Sequence, residues 1–540
     1  MSAAGAQTGG WTPARSVAGG RNPWTIIAVI SIATFMVVLD TSIANVALAH
    51  IAGSVSASYD EATWVITSFL ISNAIVIPIS GWLADVIGRK RYYMLSVTLF
   101  TLSSLLCGLA PSLGFLVVAR VLQGIGGGGL TPVEQSMLVD TFPPEKRGLA
   151  FAAYGVVVIA GPIFGPTIGG YITDNASWHW VFLINVPIGI LSLILVTLFV
   201  DEPKAVRDRT KKLRKQGLKV DYIGFLLVAV SLGCLEVTLD RGQRDDWFSS
   251  PLITIFAILS VSCFLIFIPY ELSLKNPIVK LRLFANRNFA IANVLLLMMG
   301  VIIFGSTQFI PQLLQEVMHY TATSAGMALT AGGLATIFVM PISGFLTGKI
   351  DPRYLIGLAF TIQGLALLNM SHLSTQMSFD DAAYARMFQS VGLPFLFVPV
   401  TNAAYVGLRP QDSNQASALM NVTRNLGGTF GISLVQTLLA QREQVHQAQL
   451  VESLNNLNPG YTAGLQKIAH ALAANGLSQA EATRAAAAQI YQSLQQQVGM
   501  LSYIDAFHVL MILVFGAIPL ILLMNPPEKG KPDAGEGGAA

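Results

Sequence analysis

The chain has 540 residues, of which 53% are hydrophobic and 11% charged. A soluble globular domain carries roughly a quarter charged residues, so the composition excludes a water-soluble enzyme of several domains, and its apolar content excludes a disordered chain. The net charge of +3 is scattered in short runs, which leaves no basic domain for nucleic acid. A spanning helix takes about 20 apolar residues, and about 14 of them would use most of the hydrophobic residues present. The chain therefore reads as an all-α polytopic membrane protein, and the short alternating segments of an outer-membrane barrel are missing.

After a polar, Gly- and Ala-rich start, an apolar run extends from Trp24 to Leu48. It is too long for the apolar segment of a signal peptide and is read as a retained first span. Further runs lie at 64–84, 92–110, 113–139, 148–172, 180–200, 222–239, 252–270, 289–316, 322–347, 354–371, 384–408, 416–440 and 502–524. Fourteen spans put both termini on one side. With that side cytoplasmic, 24 of the 32 Lys and Arg fall in cytoplasmic segments and five (Arg241, Arg244, Arg442, Lys467 and Arg484) fall opposite. The positive-inside rule therefore orients the chain with both termini in the cytoplasm. Cys107, Cys234 and Cys263 all lie within apolar runs and read as small core residues, with no CxxC metal site.

The chain divides into a cytoplasmic tail (1–22), an N-terminal six-helix bundle (23–200), a basic cytoplasmic loop (201–220), two inserted transmembrane helices (221–270), a C-terminal six-helix bundle (271–524) and a cytoplasmic tail (525–540). The loop 441–500 within the second bundle is expected outside, with helical composition at Ala463–Ala474 and Ser478–Gln497. It reads either as a solvated helical cap or as a docking surface. An internal repeat supports the two halves. Gly81 to Arg91 after span 2 resembles Gly344 to Arg353 after span 10 at an offset of 263. Arg120 with Gln123 and Gly124 resembles Arg386 with Gln389 and Gly392 at an offset of 266 for the arginines. Parallel six-span repeats are the architecture of major facilitator transporters.

The whole chain resembles the 14-span drug:proton antiporters of that superfamily. The resemblance rests on Leu39-Asp40-Thr41-Ser42-Ile43-Ala44-Asn45-Val46-Ala47 in span 1, the Gly81–Arg91 loop, Arg120-x-x-Gln123-Gly124 in span 4, and Gly155 to Gly170 in span 5. Ala49-His50 departs from the family's usual Leu-Pro, at the outer end of the span. The resemblance implies a major facilitator fold with two six-helix bundles and two inserted helices. It also implies proton-driven efflux by alternating access without a cofactor, in the bacterial inner membrane. Related exporters work with a periplasmic adaptor and an outer-membrane channel. A single-substrate exporter or importer without an adaptor is the alternative on the same fold. No phosphate-loop motif points to a built-in ATPase.

A carboxylate deep in a span is costly and marks function or an internal pair. Asp40 lies deep in span 1, and the resemblance makes it the proton-coupling acid, with Arg120 and Gln123 beside it; a neutral or hydrogen-bonded structural Asp is the other reading for Asp40, and a fixed structural ion pair that for Arg120. Glu134 falls near the Arg120 face of span 4. It reads as a second proton or cation site, or as a side chain snorkelling to the interface. Glu236 reads as interfacial. By resemblance, Gly81, Asp85, Gly88, Arg89 and Lys90 form a cytoplasmic gate. There Asp85 pairs with a basic residue or a helix end, whereas Arg89 and Lys90 also serve as topogenic charge. Gly155, Gly161, Pro162, Gly165, Pro166, Gly169 and Gly170 form the antiporter motif, expected as a flexible seam between the halves or as ordinary close packing. Phe35, Met36, Phe304, Gln308, Phe395 and Phe397 are candidates for an apolar substrate cavity. Arg386 and Arg424 either hold an anionic substrate or brace helices.

Overall fold

The computed structural model describes residues 22–215, 221–307 and 309–525, and among these it is helical without strands. The first bundle comprises α1 (Pro23–Ser54), α2 (Tyr59–Ala62), α3 (Trp64–Ile87), α4 (Arg89–Gly108), α5 (Leu113–Gly128), α6 (Leu130–Thr141), α7 (Pro144–Asn175), α8 (His179–Leu183) and α9 (Asn185–Phe199). A helix in the basic loop, α10 (Lys204–Lys215), leads to the inserted pair α11 (Tyr222–Arg241) and α12 (Pro251–Ser273). The second bundle follows as α13 (Arg287–Thr307), α14 (Phe309–Gln312), a π-helical turn at Leu313–Val317, α15 (Ala322–Thr347), α16 (Pro352–Met370), α17 (Phe379–Ala404), α18 (Ser413–Val451), α19 (Pro459–Ala474) and α20 (Gln479–Ile521).

Local chemistry sets these boundaries. Asn22 caps α1 by accepting from the Trp24 N–H at 3.0 Å, and Pro23 occupies the first turn, where its missing donor costs nothing. Among the described residues, twelve helical segments are long and apolar enough to cross a membrane. The two further spans expected from the sequence are α4, which opens on Arg89-Lys90-Arg91, and α18, which carries Asn414, Gln415, Asn421, Arg424 and Asn425. Both pack along spanning helices, α4 on α5 and α9, α18 on α13, α3 and α20, so the arrangement is compatible with fourteen.

The bundles meet chiefly where α7 lies against α15 and α3 against α18. A Cβ on Gly148 of α7 would come 2.8 Å from the Gly344 carbonyl of α15, so the two backbones touch only because both residues lack side chains. The inserted helices are joined by reciprocal bonds: Ser231 donates to the Ser260 carbonyl at 3.2 Å, and Ser260 to the Ser231 carbonyl at 2.9 Å. Helix α12 turns Leu252, Ile255, Ile258, Val261 and Leu265 outward, as a lipid-facing helix does. Helix α11 touches both bundles: Thr67 of α3 donates to Asp240 at 2.6 Å and Thr429 of α18 to Glu236 at 3.1 Å. Glu236 is thus buried against a partner helix, because its turn of α11 is wedged between α3 and α18.

The expected outer loop is mostly prolonged spanning helix. Helix α18 continues past residue 440 to Val451, and α20 begins at Gln479, well before residue 500. Helix α19 packs on the free part of α20 through a small core of Ala469, Ala482 and Ala486.

Candidate functional site

Asp40 lies midway along α1 and is fully buried. Its Oδ2 is 2.6 Å from Arg120 Nη1 of α5, itself fully buried. Oδ1 accepts from Gln123 Nε2 at 2.9 Å and from Asn185 Nδ2, at the start of α9, at 2.7 Å. Arg120 also donates through Nε to the Val65 carbonyl at 2.9 Å and through Nη1 to Gln123 Oε1 at 2.6 Å, and its guanidinium stands 4.3 Å from the centre of the Phe69 ring. Gln123 Nε2 reaches Ser104 Oγ of α4 at 2.7 Å. Five helices thus contribute to the network around one carboxylate, two of them, α5 and α9, touching it directly. A buried ion pair persists only when further hydrogen bonds support it; here Gln123 and Asn185 serve the Asp40 carboxylate, while Arg120 Nη2 is left without a partner. Gly124 permits the geometry: a Cβ there would fall 1.9 Å from Ser72 Oγ, so a larger residue would force α5 off α3.

Glu134 lies on α6, just beyond the glycine run that separates α5 from α6. It does not snorkel. It is fully buried, takes a hydrogen bond from Thr34 of α1 on Oε2, and leaves Oε1 without a partner. Thr34 Oγ1 is also 3.1 Å from the Tyr154 hydroxyl of α7. Next to it on α6, Gln135 joins the bundles by accepting from Asn421 of α18 at 2.7 Å. Asn421 in turn accepts from Arg424 at 2.8 Å, which makes Arg424 a half-buried brace along α18 in this conformation.

The second half repeats the first without its acid. Arg386 is buried, donates to Gln389 Oε1, and reaches Thr307 Oγ1 of α13 at 2.9 Å.

At the basic-loop end, Asp85 of α3 accepts from Asn414 Nδ2 at 2.7 Å, in the first turn of α18, and stands 3.5 Å from Arg209 of α10. Arg209 continues to the Gln411 carbonyl at 2.5 Å. Arg89 pairs with Asp140 at the end of α6 and donates to Ser413 Oγ at 2.9 Å. Gly81 allows the approach, since a Cβ there would sit 2.8 Å from the Asn414 carbonyl. Gly88 has φ +96°, a conformation that favours glycine, and lies against Glu202. Lys90 reaches the Thr197 carbonyl at 3.3 Å. These bonds close the two bundles together at this end.

The α7 glycines face two ways. Gly155 meets Met340 of α15, across the bundle boundary. Gly161, Gly165 and Gly169, one helical turn apart, pack on Val38, Ser42 and Ile43 of α1. The expected seam between halves is therefore largely a seam inside the first bundle, running alongside Asp40, because this glycine stripe faces α1. Gly170 has open space, and α7 continues through Pro162 and Pro166. Of the cavity candidates, Met36 is fully enclosed and lines no open space in this conformation. Phe395 and Phe397 are buried, Phe35 is half-buried, and Phe304 is exposed with its ring on Gly428. Gln308 lies outside the described residues.

Sequence reasoning missed Asn185, Thr34, Tyr154, Asp140, Asn414 and Thr307. A lone amide within the apolar run of span 6 was the available signal for Asn185. The others are ordinary polar residues whose partners lie far away in the chain.

A family model described as Major Facilitator Superfamily matches residues 30–432. The multidrug export protein EmrB of Haemophilus influenzae is 41% identical over 431 residues, covering 80% of this chain and 83% of that protein. EmrB of Escherichia coli strain K12 is 40% identical over 435 residues, with the same shares of 80% and 83%. Among solved structures, the proton:xylose symporter XylE bound to 6-bromo-6-deoxy-D-glucose matches with a TM-score of 0.56 at 13% identity, over 79% of this chain and 90% of that one. The likeness to XylE is one of fold alone.

Proposed function

The chain belongs to the major facilitator superfamily as an EmrB-type drug transporter, and we propose that it exports hydrophobic or amphipathic compounds in exchange for protons. The observation that carries the reading is the sealed Asp40–Arg120 pair. A carboxylate at that depth is expensive to keep and needs a reason. Here it is one that must repeatedly give up and regain a proton. The conformation described, joined at the basic-loop end, is the one in which the cytoplasmic mouth is shut. Asp40 receives a proton from outside, and Arg120 then loses its counter-charge. The bundles rock, and the proton leaves to the cytoplasm as Arg120 reclaims the carboxylate. Arg120 and Gln123 thus act with Asp40 in coupling. Glu134, buried with one free oxygen and Thr34 on the other, takes the second proton-binding role. The Asp85–Asn414 and Arg89–Asp140–Ser413 contacts must break for the inside to open, which makes Gly81, Asp85, Gly88, Arg89 and Lys90 the gate. The α1–α7 glycine seam keeps water from the coupling site while the helices slide. Substrate then occupies the region between the bundles near Phe35, Phe304, Phe395 and Phe397, with Met36, Arg386 and Arg424 exposed to it as the halves part.

The bias of Lys and Arg between loops supports an orientation with both termini in the cytoplasm, and we read the membrane as the bacterial inner membrane. The prolonged α18 and α20, with α19 between, present Val451, Leu457 and Leu477 to solvent on the opposite side. That cap is the docking surface for an EmrA-like periplasmic adaptor, which connects to a TolC-like outer-membrane channel. Replacing residues 452–478 by a short linker is expected to abolish adaptor co-purification. Coupling is tested by dye export from proteoliposomes with an imposed pH gradient. Asp40→Asn is expected to lose gradient-driven export, and export at the parent rate would refute the assignment.

A further inference from the structure

The two halves hold the same Arg-x-x-Gln device in different electrostatic states. In the first, Arg120 meets Asp40, 80 residues earlier. In the second, Arg386 meets the hydroxyl of Thr307, 79 residues earlier and next to Ser306, the residue 266 positions after Asp40, so a hydroxyl takes the place of the carboxylate. Gly332 stands 263 residues after Phe69, the ring that covers Arg120, and so the second half lacks the aromatic partner in that register as well. Arg386 is buried, with no carboxylate within ion-pair distance among the described residues.

A buried, permanently charged guanidinium without a counter-ion is unfavourable and calls for an anion. The atoms around it are also unsatisfied. Arg386 Nε, Gln389 Nε2 and Ser390 Oγ have no partner, and neither does Gln363 Oε1 of α16 next to them. All four side chains are more than nine-tenths buried. Three of these free atoms can donate. In the first half Arg120 Nε donates to the Val65 carbonyl and Gln123 Nε2 to the Asp40 carboxylate, so both counterparts have acceptors and only Arg120 Nη2 is without one.

We infer that the Arg386–Gln389–Ser390 cluster is a binding site for the carboxylate of an anionic amphipathic compound, which supplies from outside the group that Asp40 supplies in the first half. The inference rests on the export reading and names a substrate class for it. Donors on two adjacent turns of α17 match the two oxygens of a carboxylate better than a spherical anion. Thr307 is only half-buried, so the organic body has an approach along α13.

The test uses the purified full-length protein with three compounds of one ring system: 1-naphthoate, 1-naphthalenemethanol and 1-naphthylmethylammonium. Binding is measured by calorimetry. The parent is expected to bind naphthoate about ten-fold or more tighter than the alcohol. Arg386→Gln is expected to erase that preference. Thr307→Asp, which builds the missing counter-ion into the chain, is expected to erase it while keeping or raising the melting temperature. A Thr307→Asp protein that is stabilised yet keeps the preference would make Arg386 a brace only and overturn the inference. Chloride that stabilises the parent but not Arg386→Gln, without any naphthoate preference, would give the site to a small inorganic anion and overturn it too. Export of a neutral dye by the parent is followed in parallel. Its absence refutes the export reading, whereas its presence without naphthoate preference refutes this inference alone.

Discussion

Replacing Asp40 by alanine removes the only carboxylate that Arg120 meets among the described residues, at a position with no solvent exposure. Arg120 keeps the Val65 carbonyl and Gln123 Oε1 but becomes an uncompensated buried cation. Breaking a buried pair from one side costs about 3–5 kcal/mol. The amides of Gln123 and Asn185 each lose an acceptor, which adds about 1–3 kcal/mol apiece if nothing replaces it. Removing the cation as well, in Asp40→Ala with Arg120→Leu, eliminates the larger of these terms. The double variant is therefore expected to be more stable than Asp40→Ala alone, by about 2 kcal/mol. Unfolding of the four proteins of the cycle in one detergent, followed by tryptophan fluorescence, measures the difference. If the two substitutions simply add, so that the double variant is the least stable, the pair is not the electrostatic unit described here. The same proteins separate stability from coupling: Arg120→Leu with Asp40→Ala should remain folded yet show no gradient-driven export.

Glu134→Gln keeps an acceptor for Thr34 but cannot take up a proton, so it is expected to reduce export about ten-fold or more with an unchanged melting temperature. Full activity in proteoliposomes would remove Glu134 from the coupling scheme. A side chain at Gly165 would start 2.3 Å from Ser42 Oγ, whereas Gly170 has open space. Gly165→Val should therefore lose about 1–3 kcal/mol through overpacking and Gly170→Ala almost nothing, by melting temperature of the purified variants. Asn414→Ala deletes the 2.7 Å bond to Asp85. A hydrogen bond to a charged group contributes about 1.5–3 kcal/mol, so the inside-closed population should fall by about ten-fold or more. Spin-label distances across the α3–α18 contact report it, and an unchanged distribution would remove this bond from the gate.

Composition and apolar runs disclosed most of the spans, since a bilayer imposes a minimum length on every crossing helix; twelve of the fourteen expected runs are long and apolar enough among the described residues. The repeat disclosed the two halves, and depth within a span singled out Asp40 and Arg120. What stayed hidden was pairing at long range. Nothing local in Asn185 says that it will meet Asp40, 145 residues away. The facing of the α7 glycines was equally hidden, because one stripe serves α1 while Gly155 serves α15. Helix α10 was hidden for another reason. The basic residues of its loop read as topogenic charge, and only the fold places Arg209 between Asp85 and the Gln411 carbonyl.

The wedge of α11 between the bundles has a mechanical consequence. With Asp240 held by Thr67 on one side and Glu236 by Thr429 on the other, the inserted helix is a strut bolted to both moving bodies. Two bundles that rock about a common axis cannot both keep a rigid strut in register, so one bolt must slip in every cycle. Each bolt is a carboxylate gripped by a threonine hydroxyl, which releases and re-forms without an unpaired cation being left in the membrane. In the cycle proposed above, the grip of these two bolts would govern how fast the halves exchange.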